Sequence, residues 1–405
     1  MTPIAIKKLI VNKNMKHYNF DEVIERHGTS CVKFDRLKEM FGDENLIPLW
    51  VADMDFRTPD FIVEALKKRC EHEIFGYTFG SDEYYESIIN WVHYKHNWKI
   101  QREWISYIPG IVKGIAFAIQ CFTQKGDKIM VMPPVYHPFF LVTQKNEREV
   151  VFSPLVLKDE QYYIDFNRFR QDIQGCKLLI LSNPHNPGGR VWTKEELSQI
   201  ADICYESGTL VISDEIHADL TLPPYKHPTF ALISEKARMN SLVFMSPSKA
   251  FNMPGLASSY AIIENDELRH RFQTYMEASE FSEGHLFAYL SVAAAYSHGT
   301  EWLDQVVAYI KGNVDFTETY LKEHIPAIKM IRPQASYLIF LDCRALGLNQ
   351  EELNRLFVEG AHLALNDGTT FGKEGEGFMR LNVACPRATL EKALKQLEQA
   401  VMDLK

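Results

Sequence analysis

From about residue 104 to residue 263 the chain alternates between short, continuous apolar runs and longer stretches with apolar residues at helical spacing. Trp104 to Ile108, Lys128 to Met132, Lys177 to Ser182 and Thr209 to Ser213 read as strands. They stop at Pro109-Gly110, Pro133-Pro134, Asn183-Pro184 and Asp214-Glu215 respectively. Ile111 to Phe122 reads as an apolar helix. Lys194 to Glu206 reads as another, capped by Thr193 with Glu196 completing a capping box. Strands apolar on both faces and separated by helices imply a mostly parallel sheet covered on both sides. In such a sheet a ligand sits beyond the carboxyl ends of the strands, and that is where this chain places its unusual residues.

The flanks follow other patterns. Leu46 to Phe56 is an apolar run broken by Asp53 and Asp55, and Thr58-Pro59-Asp60 opens a helix through about Glu71. A further helix carries Ile88, Ile89 and Trp91. Past Tyr260 to Ile263 come helical stretches over Asp266 to Glu277, Leu286 to Tyr296 and Glu301 to Glu323. The end of the chain reads strand (Tyr337 to Leu341), helix (Gln350 to Val358), strand (Phe378 to Val383), helix (Thr389 to Asp403). At 405 residues and 46% hydrophobic composition the chain exceeds what one core fills. The expectation is an α/β fold of two domains, a large one over 51–290 and a smaller α+β one built from 1–50 and 291–405.

Charge and cysteines narrow the class. Lys plus Arg at 44 against Asp plus Glu at 53 gives a net charge of -9, with no basic block, so nucleic acid is not an expected partner. The seven cysteines are widely spaced and never form a CxxC pair. They read as reduced core residues of a cytoplasmic protein, and no metal is expected. No export signal or membrane span is expected either.

The chemistry centres on Val243-Phe244-Met245-Ser246-Pro247-Ser248-Lys249, with Pro254-Gly255 just beyond. A strand that meets two hydroxyls, a lysine and then a turn places Lys249 at a strand end facing a cavity. Partial desolvation there disfavours the ammonium and leaves an amine able to form a Schiff base. An aldehyde cofactor with a phosphate handle fits this setting, which points to pyridoxal phosphate. Such a cofactor needs a carboxylate for its ring nitrogen, and Asp214 at the end of a buried strand can provide it; a helix cap is the other reading of Asp214. His217 could donate to the ring hydroxyl or be an ordinary structural histidine. Asn186, in Asn183-Pro184-His185-Asn186-Pro187-Gly188-Gly189, could be aimed at the ring oxygen by that irregular turn. For the phosphate, Gly110, Ile111 and Val112 offer free amides at a helix start, joined by Ser246 and Ser248. Tyr136 could stack on the ring or belong to the core.

Asn-Pro-x-Asn-Pro-Gly-Gly, Asp-Glu-Ile-His and Ser-Pro-Ser-Lys, in this order and spacing, resemble the aspartate-aminotransferase fold of pyridoxal enzymes (fold type I) over nearly the whole chain. Lys33-Phe34-Asp35, Trp50-Val51-Ala52-Asp53-Met54-Asp55-Phe56 and the stretch from Phe371-Gly372 to Gly377-Phe378-Met379-Arg380-Leu381-Asn382 resemble its cystathionine β-lyase branch, of MalY/PatB type. The resemblance implies Lys249 as the cofactor's lysine, Asp214 at the ring nitrogen, Asn186 and His217 at the ring hydroxyl, and Tyr136 on the ring face. It further implies Arg380 on the substrate α-carboxylate, with Ala52 and Asn186 also at the substrate. Tyr77 matches a tyrosine that reaches the phosphate of the neighbouring subunit, which implies a homodimer with shared sites. One departure is Ala257, where many aminotransferases of this fold carry an arginine.

The reading that follows is a carbon-sulfur β-lyase acting on cystathionine or another cysteine conjugate. An aminotransferase shares every cofactor contact, and a cofactor-binding regulator without turnover is the alternative from another class. Product analysis separates the three.

Overall fold

The structure is a computed structural model that describes residues 16–404; residues 1–15 of the N-terminal segment lie outside the described residues. Its centre is a seven-stranded sheet. The strands are β1 (Ile105–Ile108), β2 (Lys128–Val131), β3 (Glu149–Phe152), β4 (Cys176–Ser182), β5 (Leu210–Asp214), β6 (Ser241–Met245) and β7 (Ser259–Ile262). The order is β1-β7-β6-β5-β4-β2-β3. Neighbours from β6 to β3 pair in parallel, and β7 alone runs antiparallel to both of its neighbours.

Each central strand splits its side chains between two cores. Leu178, Ile180, Ile212, Leu242 and Phe244 point to one face, whereas Leu179, Leu181 and Val211 point to the other. Because both faces are covered, the strands read as unbroken apolar runs rather than as alternating ones. One cover is α1 (Ile111–Phe122), which buries Ile111, Gly114, Ile115, Ala118 and Ile119 along a single stripe. Each such isoleucine contributes about 1.5–3 kcal/mol by leaving water. Gly114 is required for the fit, since a Cβ there would stand 2.5 Å from Ile108 Cδ1. On the opposite face α2 (Lys194–Glu206) carries the expected capping box, Thr193 and Glu196 each bonding the other's backbone.

A second, four-stranded antiparallel sheet contains β8 (Lys329–Ile331), β9 (Leu338–Asp342), β10 (Asn366–Asp367) and β11 (Phe378–Asn382), ordered β8-β9-β11-β10. The N-terminal region reaches the same part of the molecule, where Ile47–Pro48 pairs in parallel with Leu363–Ala364. The helix expected over Gln350 to Val358 ends at Arg355 and loosens into a π turn over Leu356–Gly360.

Two details depart from the sequence reading. The edge strand β3 and the hairpin Val156–Lys158/Gln161–Tyr163 were not expected; both are short and only partly buried, so they carry little apolar signal. Of the cysteines, five are buried, while Cys70 is exposed and Cys31 half-buried. All seven are free thiols. No helix among the described residues is long and apolar enough to cross a membrane.

Candidate active site

Three parallel strands deliver most of the site. Register pairs Ser182 of β4 with Asp214 of β5, and Asp214 with Phe244 of β6. The exits that carry Asn183–Gly189, Asp214–His217 and Ser246–Lys249 therefore lie side by side. The antiparallel β7 brings in a fourth segment, because Ser259 stands opposite Ile108 and so sets Ser258 beside the Pro109-Gly110 turn that opens α1. Gly110 has φ +123, a conformation that a side chain rarely adopts, and no other side chain caps α1.

These segments enclose a cavity of about 390 Å³. Gly110, Ile111, Val112, Tyr136, Asn186, Asp214, His217, Ser248, Lys249 and Ala52 all line it. Ser246 lies one layer back, its hydroxyl donating to the Ser258 carbonyl at 3.0 Å and standing 2.9 Å from Ser248 Oγ, whose own proton can complete that bond. Arg380 is buried behind Asn186, to whose Oδ1 it donates at 3.2 Å. Tyr77 stands apart, fully exposed on its loop.

The loop 51–56 closes the side nearest the lysine. Lys249 Nζ donates to the Ala52 carbonyl at 2.6 Å, and Tyr337 Oη donates to the same oxygen at 3.0 Å. Asn382 Nδ2 donates to the carbonyls of Val51 and Asp53 at 2.7 and 2.6 Å. The expected break at Asp53 and Asp55 proves to be an ion cluster: Arg26 contacts both carboxylates at 2.7 and 2.6 Å, and the fully buried Lys33 meets Asp55 at 2.8 Å. Arg380 reaches this loop too, one terminal nitrogen donating both to the Trp50 carbonyl at 3.0 Å and to Asn366 Oδ1 at 2.8 Å. Its guanidinium lies 4.8 Å from the centroid of the Phe371 ring.

Burial sets the protonation states. Asp214 is pushed up to about 7 by burial, opposed by the amide of Ile216 and by Lys249. Lys249 is drawn down to about 8, again by burial first, with Asp53 and Asp214 pulling the other way. His217 falls to about 3 and is therefore neutral, and Arg380 falls to about 10 yet stays charged near neutral pH. Of the fourteen buried side-chain polar atoms without a partner among the described residues, His217 Nδ1 and Ser258 Oγ belong to residues that line this cavity, and Arg380 Nε lies behind Asn186. Buried donors and acceptors left open in this way are costly, and two of them face the same cavity.

Tyr337, Asn382, Asn366 and Ser258 were missed as site residues in the sequence. Asn382 was legible only as part of the Arg380-Leu381-Asn382 stretch. Its partners lie more than 300 positions away, which no local pattern encodes.

A profile of the family "Aminotransferase class I and II" matches residues 44–397. This chain belongs to that family. It is 42% identical over 385 residues to cystathionine beta-lyase PatB of Bacillus subtilis, covering 95% of this chain and all of that one. Among solved structures, cystalysin of Treponema denticola, which contains a pyridoxal 5'-phosphate cofactor, superposes with a TM-score of 0.93 at 33% identity, covering 96% of this chain and 100% of that one. The PLP-bound C-S lyase of Staphylococcus hominis gives a TM-score of 0.88 at 32% identity, over 95% and 98% of the two chains.

The residues of the cavity fit such a cofactor. Asp214 is a buried carboxyl without a cation of its own to match a ring nitrogen, the open Nδ1 of His217 is free for a ring oxygen, and the hydroxyl of Ser258 with the uncapped start of α1 is free for a phosphate.

Proposed function

We propose that the chain is a pyridoxal-phosphate-dependent carbon-sulfur β-lyase that converts cystathionine, or a related cysteine S-conjugate, to a thiol, pyruvate and ammonia. The observation that carries the reading is the pairing in one cavity of an amine drawn down to about 8, Lys249, with an unpaired buried carboxyl, Asp214. Extensive similarity to a cystathionine beta-lyase supports the choice of elimination over transamination.

When bound, the cofactor supplies an electron sink for the pair left behind when a proton leaves the α-carbon of an amino acid. Lys249 would hold the cofactor's aldehyde, and its Nζ, drawn down to about 8, is the base placed to take the substrate's α-proton. Asp214 would face the ring nitrogen, whose positive charge would favour the ionised carboxylate, and Asn186 and neutral His217 would hold the ring oxygen. Tyr136 covers a ring face. Ser248 and the amides of Gly110, Ile111 and Val112 would hold the phosphate, with Ser246 supporting Ser248 from behind. Arg380 binds the substrate α-carboxylate, with Ala52 and Asn186 beside it. Loss of the α-proton and of the thiolate from the β-carbon would give aminoacrylate, which takes up one water to become pyruvate and ammonia.

The same reading takes the protein as a cytoplasmic homodimer in which Tyr77 serves the partner's phosphate. The exposed Ile74, Phe75, Tyr77 and Phe79 on one loop support it, because so much apolar area on one segment calls for cover. It also keeps 51–290 and 1–50 with 291–405 as the two domains, supported by the pairing of Ile47–Pro48 with Leu363–Ala364.

The test is product analysis on a panel of sulfur amino acids. Pyruvate and thiol formed without an added keto acid are expected. A keto acid formed only when a second keto acid is supplied would mark a transaminase, and the absence of product a regulator. Borohydride is expected to tie the cofactor to the peptide that carries Lys249; label on another lysine would overturn the site.

A further inference from the structure

The phosphate end of the cavity contains no arginine. Its lining offers two ammonium groups, Lys249 and Lys113, and Lys249 is committed to the aldehyde. Lys113 is the third residue of α1. The first backbone bond into this helix is Gly114 N–H to the Gly110 carbonyl, so the amides of Ile111, Val112 and Lys113 have no acceptor within the helix. No side chain caps them, and no acidic residue stands in the first turn.

Two forces act on a lysine placed there. The amides carry about half a positive charge at the helix start, which repels the ammonium. A bound phosphate of about -1.5 to -2 charge reverses the sign, since helix and lysine then both attract the same group. A second observation points to a ligand at this spot. Ser258 is 1% exposed, its Oγ has no partner, and it lines the same cavity. Its backbone is fixed on both sides: Ser246 Oγ donates to the Ser258 carbonyl at 3.0 Å, and Tyr107 Oη donates to the Ala257 carbonyl at 2.9 Å. The hydroxyl is thus held in a fixed frame on the wall of the cavity that Ile111, Val112 and Lys113 also line.

We propose that Lys113, assisted by Ser258, supplies the cationic support of the cofactor's phosphate in place of an arginine. The inference rests on the pyridoxal-phosphate reading above. It assigns to Lys113 a role that the pattern of the sequence does not suggest, since an exposed lysine on a helix reads as a solvated charge.

The test is a binding titration on cofactor-stripped protein, followed by absorbance, with pyridoxal phosphate and with pyridoxal, which lacks the phosphate. Lys113→Ala is expected to raise the dissociation constant for pyridoxal phosphate about fivefold to tenfold, the size of one partly exposed charge-assisted contact. It is expected to leave that for pyridoxal unchanged. Lys113→Arg should restore the wild-type value, and salt should narrow the gap between wild type and Lys113→Ala. Ser258→Ala is expected to show the same preference for losing the phosphorylated ligand. Equal affinities of wild type and Lys113→Ala for pyridoxal phosphate, or equal losses for both ligands, would overturn the inference while leaving the cofactor reading intact. A wild-type protein that binds neither ligand would overturn both.

Discussion

The side-chain amide of Asn382 donates to the main-chain carbonyl of Asp53 at 2.6 Å, and through this contact the strand that bears Arg380 controls the loop that bears Ala52. Asn382 grips the carbonyls on either side of Ala52, so the Ala52 oxygen is left facing Lys249. Replacing Asn382 with Ala frees the loop. We expect kcat/KM to fall by about tenfold to a hundredfold, as for a misplacement of about 1 Å near reacting groups, while cofactor affinity holds. Unchanged kcat/KM would show that the loop is positioned by the Arg26–Asp53–Asp55–Lys33 cluster alone.

Arg380 uses both terminal nitrogens on Asn186, Asn366 and the Trp50 carbonyl and keeps Nε free. Lysine keeps the charge and loses the planar fork. Arg380→Lys is expected to raise KM for the amino acid by about tenfold or more, in line with losing charge-assisted hydrogen bonds worth about 1.5–3 kcal/mol, with little change in cofactor binding. Steady-state kinetics beside a cofactor titration separates the two. An equal loss in both would mean that the arginine supports the pocket rather than the substrate.

The cofactor-free protein has a characteristic dependence on pH. Asp214 is raised to about 7 by burial, against about 3.9 in an unfolded chain. Its contribution to stability is fully present below about pH 4 and is lost as pH rises toward 7. Lys249 is lowered to about 8, against about 10.4 unfolded. Its contribution is fully present above about pH 10.4 and is lost as pH falls through about 8. These two groups therefore give a minimum between about pH 7 and 8. Denaturation of stripped protein across pH, compared with Asp214→Asn and Lys249→Met, is expected to show the acid-side slope reduced in the first variant and the alkaline-side slope reduced in the second. Identical profiles in all three would refute the assignment.

Tyr77 and Lys249 test the shared site. Tyr77→Ala and Lys249→Ala chains, each impaired alone, are mixed. A heterodimer then holds both lesions in one site and none in the other, and recovery of up to half of normal activity is expected. No recovery with heterodimers demonstrated would return Tyr77 to its own subunit or to no role.

Local signals account for what the sequence made legible. The bounds of α1 and α2 emerge from a Pro-Gly turn and a capping box, both written within four residues. Lys249, Asp214 and Asn186 stand at the ends of apolar runs, so the sheet rule alone collects them. Asn382, Tyr337 and Ser258 escaped because what defines them is a partner far away in sequence or the lack of one. Arg380 was named only through resemblance, and nothing in its own strand says that it faces Asn186. Lys113 was hidden for the opposite reason, since a lone lysine on the exposed side of an otherwise apolar helix looks like any solvated charge.

The antiparallel β7 has a consequence for the order in which the molecule assembles. The parallel block from β3 to β6 can form by successive crossovers, but among the described residues β1 pairs only with β7. Tyr107 and Ala257, joined by a hydrogen bond at 2.9 Å, are 150 positions apart. Closing so long a loop is slow relative to local contacts. The lysine can therefore be in place just beyond β6 before the phosphate cradle exists, and the last edge of the sheet to close is the one that makes the cavity able to retain its cofactor. During refolding, capture of pyridoxal phosphate is expected to lag behind formation of the parallel strands and to keep pace with the docking of β1 on β7.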